Sequence, residues 1–145
     1  MLKYHSDIFC VLSTIIMLRN FFTKKALPLT GAPAVRRLKS YSAQSGYVYQ
    51  YFYEGQRRFE GGAEYVFTIS ADRKNWHPTN VRVDTAAVRA WEQSHTRELS
   101  SAEQYAVVKM ALFQAFDERP SPAQMKEDVL VRNADVEAII ETLGL

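Results

Sequence analysis

Cysteine is almost absent from this sequence of 145 residues. Cys10 is the single one, so no internal disulfide can form. Glycine and proline are also scarce, with six and five residues, while hydrophobic and charged residues make up 47% and 23% of the chain. This composition excludes a collagen-like repeat, a disordered chain and a disulfide-dependent fold. It predicts an ordinary globular protein of a reducing compartment, and we expect that compartment to be the cytoplasm.

The sequence also lacks an apolar run long enough to cross a membrane. Its longest apolar stretch, residues 8–18, has eleven residues, whereas a spanning helix needs about 20. The first small-residue cleavage pattern, at residues 32–34, comes late for a signal peptide. We interpret residues 1–33 as an N-terminal extension or linker. A helix that docks on the domain, an upstream extension with Met17 as an internal start, and a cleaved signal remain alternatives for it.

Motifs for catalysis or metal binding are missing as well. The sequence contains no phosphate-binding loop, dinucleotide fingerprint, hydrolase elbow, H-E-x-x-H or C-x-x-C. The three histidines, His5, His77 and His95, have no second ligand at helical spacing, so we predict no metal and no cofactor. His77 could pair with Asp72 across a turn, but no nucleophile accompanies that couple. We therefore expect a protein that is not an enzyme, and the alternative is an enzyme that takes its catalytic groups from a partner.

Charge is nearly balanced overall but uneven along the chain. The net charge is +2; residues 36–97 carry ten Lys/Arg against six Asp/Glu, and residues 98–145 carry four against nine. This split predicts a basic and an acidic surface on one molecule. The two surfaces could attract each other within the fold or between copies of the chain.

A single α+β domain is predicted for residues 34–145, beginning with a β-meander. Hydrophobicity alternates with period two from residue 46 onward, which is typical of strands. Polar connections with glycine or turn residues separate the apolar segments, and Pro78 restricts the last strand to a sheet edge or to its own start. Because consecutive strands usually pair, we predict a three-stranded antiparallel meander, with strands over about 47–53, 64–70 and 80–83.

About four helices are predicted to follow the meander and pack on it. Asp84 and Ser100 are N-cap residues for the first two, and Ser100 forms a capping-box pattern with Glu103. Ser121 followed by Pro122 opens a third helix. Apolar residues at helical spacing define the last one, which Gly144 ends. The predicted segments are 85–95, 101–117, about 122–131, and a final helix that carries Val136 to Leu143.

The most unusual feature is a column of tyrosines on the first predicted strand. Tyr47, Tyr49, Tyr51 and Tyr53 share one face, with Phe52 on the reverse face. Such a strand is either covered on both faces, with helices on one and residues 29–40 on the other, or leaves aromatic rings available for a ligand. Exposed aromatic rings flanked by cations are typical of a platform for single-stranded nucleic acid.

The sequence therefore predicts a binding or protein-interaction module, with a nucleic-acid-binding domain as the alternative. A protein partner, a homo-oligomer or nucleic acid could be the partner, and a helix-turn-helix is rejected because the would-be recognition helix is acidic. The residues predicted to carry binding are the stacking tyrosines and the phosphate-contacting cations: Tyr49, Tyr51, Arg57, Arg58, Arg73 and Lys74.

Overall fold

The computed structural model describes residues 26–145 and shows a mixed α+β architecture. The predictions about Cys10, His5, Met17 and the apolar stretch 8–18 lie outside these residues. Within residues 26–145 the chain forms five strands, three α-helices and one short 3₁₀ helix. Their bounds are β1 Lys39–Ser42, β2 Val48–Phe59, β3 Gly62–Ser70, β4 His77–Asp84, α1 Thr85–His95, α2 Ser101–Glu118, the 3₁₀ helix Pro122–Lys126, β5 Val129–Val131 and α3 Asn133–Leu143.

All five strands form one sheet in the order β1-β2-β3-β4-β5. The α+β class is confirmed, and the three predicted strands correspond to β2, β3 and β4, which pair antiparallel, but the predicted count of three strands is wrong. Two strands were not predicted: β1, which pairs antiparallel with β2, and β5, which pairs parallel with β4. Pro78 lies at the start of β4. β5 does not reach this part of β4, since it pairs only with residues 81–83. The missing N–H of Pro78 therefore interrupts no ladder on that side.

Two of the predicted helices form where the capping residues place them. Asp84 accepts from the N–H of Ala86 at the start of α1. Ser100 and Glu103 form the predicted capping box of α2, in which each side chain bonds the other residue's backbone N–H. The last predicted helix corresponds to α3, which ends at Gly144 in a left-handed conformation. Local caps thus define these helices as the sequence indicates.

The predicted third helix is wrong. The chain makes a 3₁₀ turn over Pro122–Lys126 and then β5, a run of Val129, Leu130 and Val131. Val129 and Val131 are buried on the side of the sheet that the helices cover, next to Val81 and Val83 of β4, whereas Leu130 is exposed on the other side. Pairing with the edge of β4 satisfies the backbone of these residues and buries two β-branched side chains, which outweighs the helix-start signal at Ser121.

The core lies between the helices and one face of the sheet. The buried residues of α2 include Val108, Leu112 and Phe116, and α1 and α3 contribute Trp91 and Ile139. The sheet supplies the inward-facing residues Tyr49, Tyr51, Tyr65, Phe67, Ile69, Val81 and Val83. We call this the inner face of the sheet and the opposite one the outer face. Of the predicted tyrosine column, Tyr49 and Tyr51 thus belong to the core, Tyr53 packs against it while partly exposed, and Tyr47 is exposed.

No helix of the described residues combines the length and the apolar character needed to cross a bilayer. The chain from residue 26 to residue 145 also contains no group of three or more His, Cys, Asp or Glu side chains positioned to hold a metal ion.

Candidate functional site

The two tyrosines predicted to stack on bases are inside the core. Tyr49 is 0% exposed, and its ring stacks on Phe116 with centroids 4.1 Å apart. Tyr51 is 3% exposed and contacts Phe113 edge-on at 5.8 Å. The helices cover these rings because β2 alternates and its tyrosine side faces α2. Burial therefore leaves neither ring a face on which an extended strand of bases could stack, and nucleic-acid binding itself stays a prediction.

The four predicted cations lie at opposite ends of the sheet. Arg57 and Arg58 end β2 next to the β2–β3 hairpin, whereas Arg73 and Lys74 belong to the β3–β4 turn, beside Gln50. Eight residues of strand separate Gln50 from Arg58, about 26 Å at the usual rise of a β-strand. These residues cannot form a single compact site.

Two of these cations are also occupied by partners within the chain. Arg57 Nε donates to the carboxylate of Glu64 at 2.7 Å, and Glu64 is only 2% exposed. Arg73 faces Gln50. When the side-chain amide of Gln50 is oriented with its oxygen toward Arg73, that oxygen accepts a hydrogen bond from Arg73 Nη2 at 3.0 Å. Arg58 and Lys74 are exposed. The outer face of the sheet is therefore less cationic than its sequence suggests.

The predicted couple of His77 with Asp72 does not form. Asp72 accepts hydrogen bonds from the backbone N–H groups of Lys74 and Asn75 and from the Asn75 side chain, which hold its pKa below its ordinary value. The ring of His77 instead contacts the carbonyl of Pro78. The carboxylate is thus used to build the turn.

A strap formed by residues 29–38 approaches the sheet beside β2. Near its start, Thr30 exchanges two backbone hydrogen bonds with Gln56, both 2.8 Å long; after it, Lys39 pairs with Tyr51 as β1 begins. Between Tyr51 and Gln56, the described residues provide no bridge partner for β2 on this side. The hydrogen-bonded ladder along this edge of β2 is therefore interrupted at residues 52–55, which lie next to the strap.

Gly55 permits the close approach of the strap. Its φ is +128°, and a β-carbon at this position would lie 2.7 Å from the carbonyl oxygen of Thr30 and 3.2 Å from Cβ of Leu29. The ladder between β2 and β3 also shifts register here. Arg36 attaches the strap further on, with its guanidinium 3.8 Å from the centroid of Phe52 and a 2.6 Å ion pair to Glu54.

A cavity of about 440 Å³ lies between the strap, β2 and α2. Its aromatic wall consists of Tyr51, Tyr53 and Tyr105, and the rings of Tyr53 and Tyr105 are 4.8 Å apart. Arg37 and Lys39 line its other side. A volume of this size and a mostly apolar lining with a few polar groups are typical of sites for small molecules. We call this cavity the tyrosine–lysine pocket.

Lys109 of α2 supplies a third cation beside the pocket. Its Nζ lies 5.9 Å from the ring centroid of Tyr51, and burial, with a further contribution from neighbouring Lys39, lowers the pKa of Lys109. Within residues 26–145, neither lysine has an acidic side chain within ion-pair distance, nor does Arg37. Two adjacent lysines without a counter-charge are unfavourable for the fold alone, and an anion between them would relieve the repulsion.

The tyrosine hydroxyls of the pocket are hydrogen-bond donors at neutral pH. Burial raises the pKa of Tyr51 and of Tyr53 to about 12 and also raises the pKa of Tyr105. In the described part of the chain, none of the three hydroxyls bonds a protein group, whereas Tyr41 of the same face donates to Asp117 at 2.8 Å. The pocket thus combines three tyrosines with two cations, Arg37 and Lys39, and Lys109 lies next to it.

Sequence reasoning identified part of this pocket. Tyr51 was a predicted site residue and Tyr53 belongs to the predicted tyrosine column, whereas Arg37 and Lys39 were not among the predicted site residues. Tyr105 and Lys109 were missed, since α2 was interpreted as a core helix. One signal was present: Lys109 stands four residues after Tyr105, on the same stripe of a helix with little polar surface.

Comparison with protein-family models, with curated protein sequences and with solved structures finds no significant match for this chain, so the functional argument depends on geometry.

Proposed function

We propose that this protein is a non-catalytic binding domain whose tyrosine–lysine pocket holds an anionic ligand. The observation that carries the proposal is the lining of the pocket, in which Arg37 and Lys39 accompany three tyrosines and no carboxylate is present among the described residues, with Lys109 beside it at 5.9 Å from the Tyr51 ring centroid. Arg37 and Lys39 are exposed and solvated in the free chain, and Lys109 is partly buried; an anion among them would exchange water for charge-assisted hydrogen bonds.

The lining of the pocket favours binding over catalysis. Among the described residues that form it there is no carboxylate, imidazole or thiol to act as a general base or nucleophile. Tyrosine hydroxyls with a raised pKa donate hydrogen bonds but exchange protons poorly at neutral pH. Orientation and charge neutralisation are what these groups supply.

The outer face of the sheet supports the nucleic-acid alternative less well. Its cations Arg57 and Arg82 both contact Glu64, and Arg82 also pairs with Asp128 at 2.9 Å. A nucleic acid would have to displace these carboxylates before phosphates could bind. Binding of a protein partner stays a prediction. The apolar side chains that the outer face exposes, such as Val48 and Leu130, lie on different strands, β2 and β5.

The test is an NMR titration of the full chain with inorganic phosphate at low salt. We expect amide shifts along the strap, in β1, at residues 51–53 and around residues 105–109. Lys39→Met and Lys109→Met should each weaken binding about tenfold, because each removes a charge-assisted contact.

Lys74→Met is the matched control, since Lys74 is an exposed lysine at the β3–β4 turn; its titration should equal that of the unmodified chain. Unfolding curves of all three variants show whether each remains folded. Phosphate shifts that are absent, or that persist unchanged in both pocket variants, would overturn the proposal.

A further inference from the structure

The pocket offers more than a place for a simple anion. Its aromatic wall consists of the half-buried rings of Tyr53 and Tyr105 and the buried Tyr51, and the cations adjoin this wall at its Tyr51 end, where Lys39 pairs with Tyr51 and Lys109 lies 5.9 Å from its ring centroid. A ligand that only neutralised charge would leave this wall in contact with water. The shape therefore requires a ligand with two parts, an acidic group at one end and a flat apolar body at the other.

The charge of the pocket indicates which acidic group fits. Arg37, Lys39 and Lys109 are three cations, and the lining residues from the described chain include no acid. A carboxylate would neutralise one of them. A phosphate monoester carries about −1.5 to −2 at neutral pH and has three acceptor oxygens, so it matches this set better.

The hydrogen-bonding groups of the pocket indicate which flat body fits. The three tyrosines of the wall carry hydroxyl groups that can donate and accept hydrogen bonds beside their rings. A plain hydrocarbon ring would satisfy none of them. A nucleobase has polar atoms around its edge and a flat face for aromatic contact, and so uses both features.

We infer that the ligand of the tyrosine–lysine pocket is a nucleoside monophosphate, with its phosphate between Lys39 and Lys109 and its base against Tyr53 and Tyr105. This inference depends on the proposed function, because it names the ligand of the same site. The same chemistry exists in a free mononucleotide and at the 5′-phosphorylated end of a nucleic-acid strand. A cavity of about 440 Å³ has room for one nucleotide rather than for a run of bases.

The experiment compares the affinities of four probes for the full chain by calorimetry and NMR: adenosine 5′-monophosphate, ribose 5-phosphate, adenosine and inorganic phosphate. We expect the nucleotide to bind at least tenfold more tightly than ribose 5-phosphate, because only the nucleotide places a base on the aromatic wall. Adenosine should bind weakly, since it lacks the phosphate.

Variants separate the two halves of the ligand. Tyr105→Leu keeps an apolar side chain on α2 but removes the ring and hydroxyl, so it should abolish most of the advantage of the nucleotide over ribose 5-phosphate. The same variant should leave the affinity for ribose 5-phosphate within about twofold, and Lys39→Met should weaken both phosphate ligands about tenfold. Tyr47→Leu is a matched control, because Tyr47 is 37% exposed and does not line the pocket.

The outcomes distinguish the two proposals. If inorganic phosphate and ribose 5-phosphate bind through the lysines but the base adds nothing, the inference fails and the proposed function stands. If no phosphate compound binds, both fail.

A short oligonucleotide with a 5′-phosphate, compared with its 5′-hydroxyl twin, identifies the source of the nucleotide. Binding of the phosphorylated strand alone assigns the pocket to strand ends, and binding of the mononucleotide alone assigns it to free nucleotides.

Discussion

The cations on the outer face of the sheet and the cations of the tyrosine–lysine pocket differ in what surrounds them. On the outer face, Arg57 and Arg82 share the buried carboxylate of Glu64, and the Arg82 guanidinium lies 3.7 Å from the ring centroid of Phe59. In the pocket, Lys39 and Lys109 face each other with no acid beside them among residues 26–145. The number of cations in a region therefore says little about binding until their partners are known.

The difference also assigns different roles to the two regions. A paired cation on the outer face contributes to folding, because its removal would leave the buried Glu64 with one partner fewer. At the pocket, burial beside Lys39 disfavours the charged form of Lys109, and an anion would stabilise that charge. Stability that is given up at one place in this way is common at binding sites.

The largest expected effect comes from removing the carboxylate that pairs the outer-face cations. Glu64→Gln should lower the free energy of unfolding by about 3 kcal/mol, since it leaves two arginines without their common partner, and the partial exposure of both arginines limits the loss. Urea unfolding measures this change. Glu60→Gln, at an exposed carboxylate of the β2–β3 hairpin, should stay within about 0.5 kcal/mol. Equal effects of both changes would mean that the outer-face network does not stabilise the fold.

A second prediction concerns the attachment of the strap that forms the pocket. Gly55→Ala should cost about 2 kcal/mol, because the added methyl group collides with Thr30 and the φ of +128° is unfavourable for alanine. Gly46→Ala is the matched control: its φ is +96°, but nothing lies within 4 Å of the added carbon, so only the backbone strain applies.

The difference between the losses of unfolding free energy in Gly55→Ala and Gly46→Ala measures the contact of Gly55 with the strap. We expect phosphate affinity to fall in Gly55→Ala and to stay unchanged in Gly46→Ala, as followed by the same NMR titration. A fall in both variants would show that the strap contact is not what shapes the pocket.

The third prediction uses the tyrosines of the inner face. The folded chain raises the pKa of Tyr51 and Tyr53 from 10.0 to about 12, so the unfolded chain loses these protons first as the pH rises. The stabilisation is fully present below pH 10 and is lost between pH 10 and about pH 12, by an order of 1 kcal/mol for each tyrosine after allowance for solvent in the pocket. Urea midpoints across this range, together with tyrosinate absorbance, measure the loss. Tyr51→Phe should reduce this loss of stability. An unchanged pH profile in Tyr51→Phe would show that Tyr51 does not contribute to the loss.

The smallest expected effect is the most direct test of the comparison, because its sign is opposite to that of Glu64→Gln. Lys109→Met should raise the free energy of unfolding by about 0.5–1 kcal/mol, since it removes a partly buried charge beside Lys39 and keeps the length of the side chain. Lys126→Met, at an exposed position of the 3₁₀ helix, should change stability less. Denaturation without phosphate shows the gain, and a loss of stability at Lys109 would mean that this lysine has a partner in the fold.

The elements that the sequence predicted well are those with local signals. Asp84, Ser100 and Gly144 mark helix ends by their own backbone chemistry, and the alternation along β2 and β3 reports their two faces directly. The elements that were missed, β1 and β5, have four and three residues, which is too short for a period to be recognised. These two segments form strands because each one hydrogen-bonds to the edge of a longer strand, β1 to β2 and β5 to β4.

The sequence by itself determined that this protein has an α+β fold that begins with a β-meander, continues with helices and contains a strand rich in tyrosine. Only the tertiary structure decided which tyrosines are covered and which cations have partners, because α2 and the strap reach β2 from distant parts of the chain. Tyr49 is buried since Phe116 lies over it, and Lys109 meets Lys39 across seventy residues. Burial and charge pairing are properties of such neighbours, and linear spacing does not contain them.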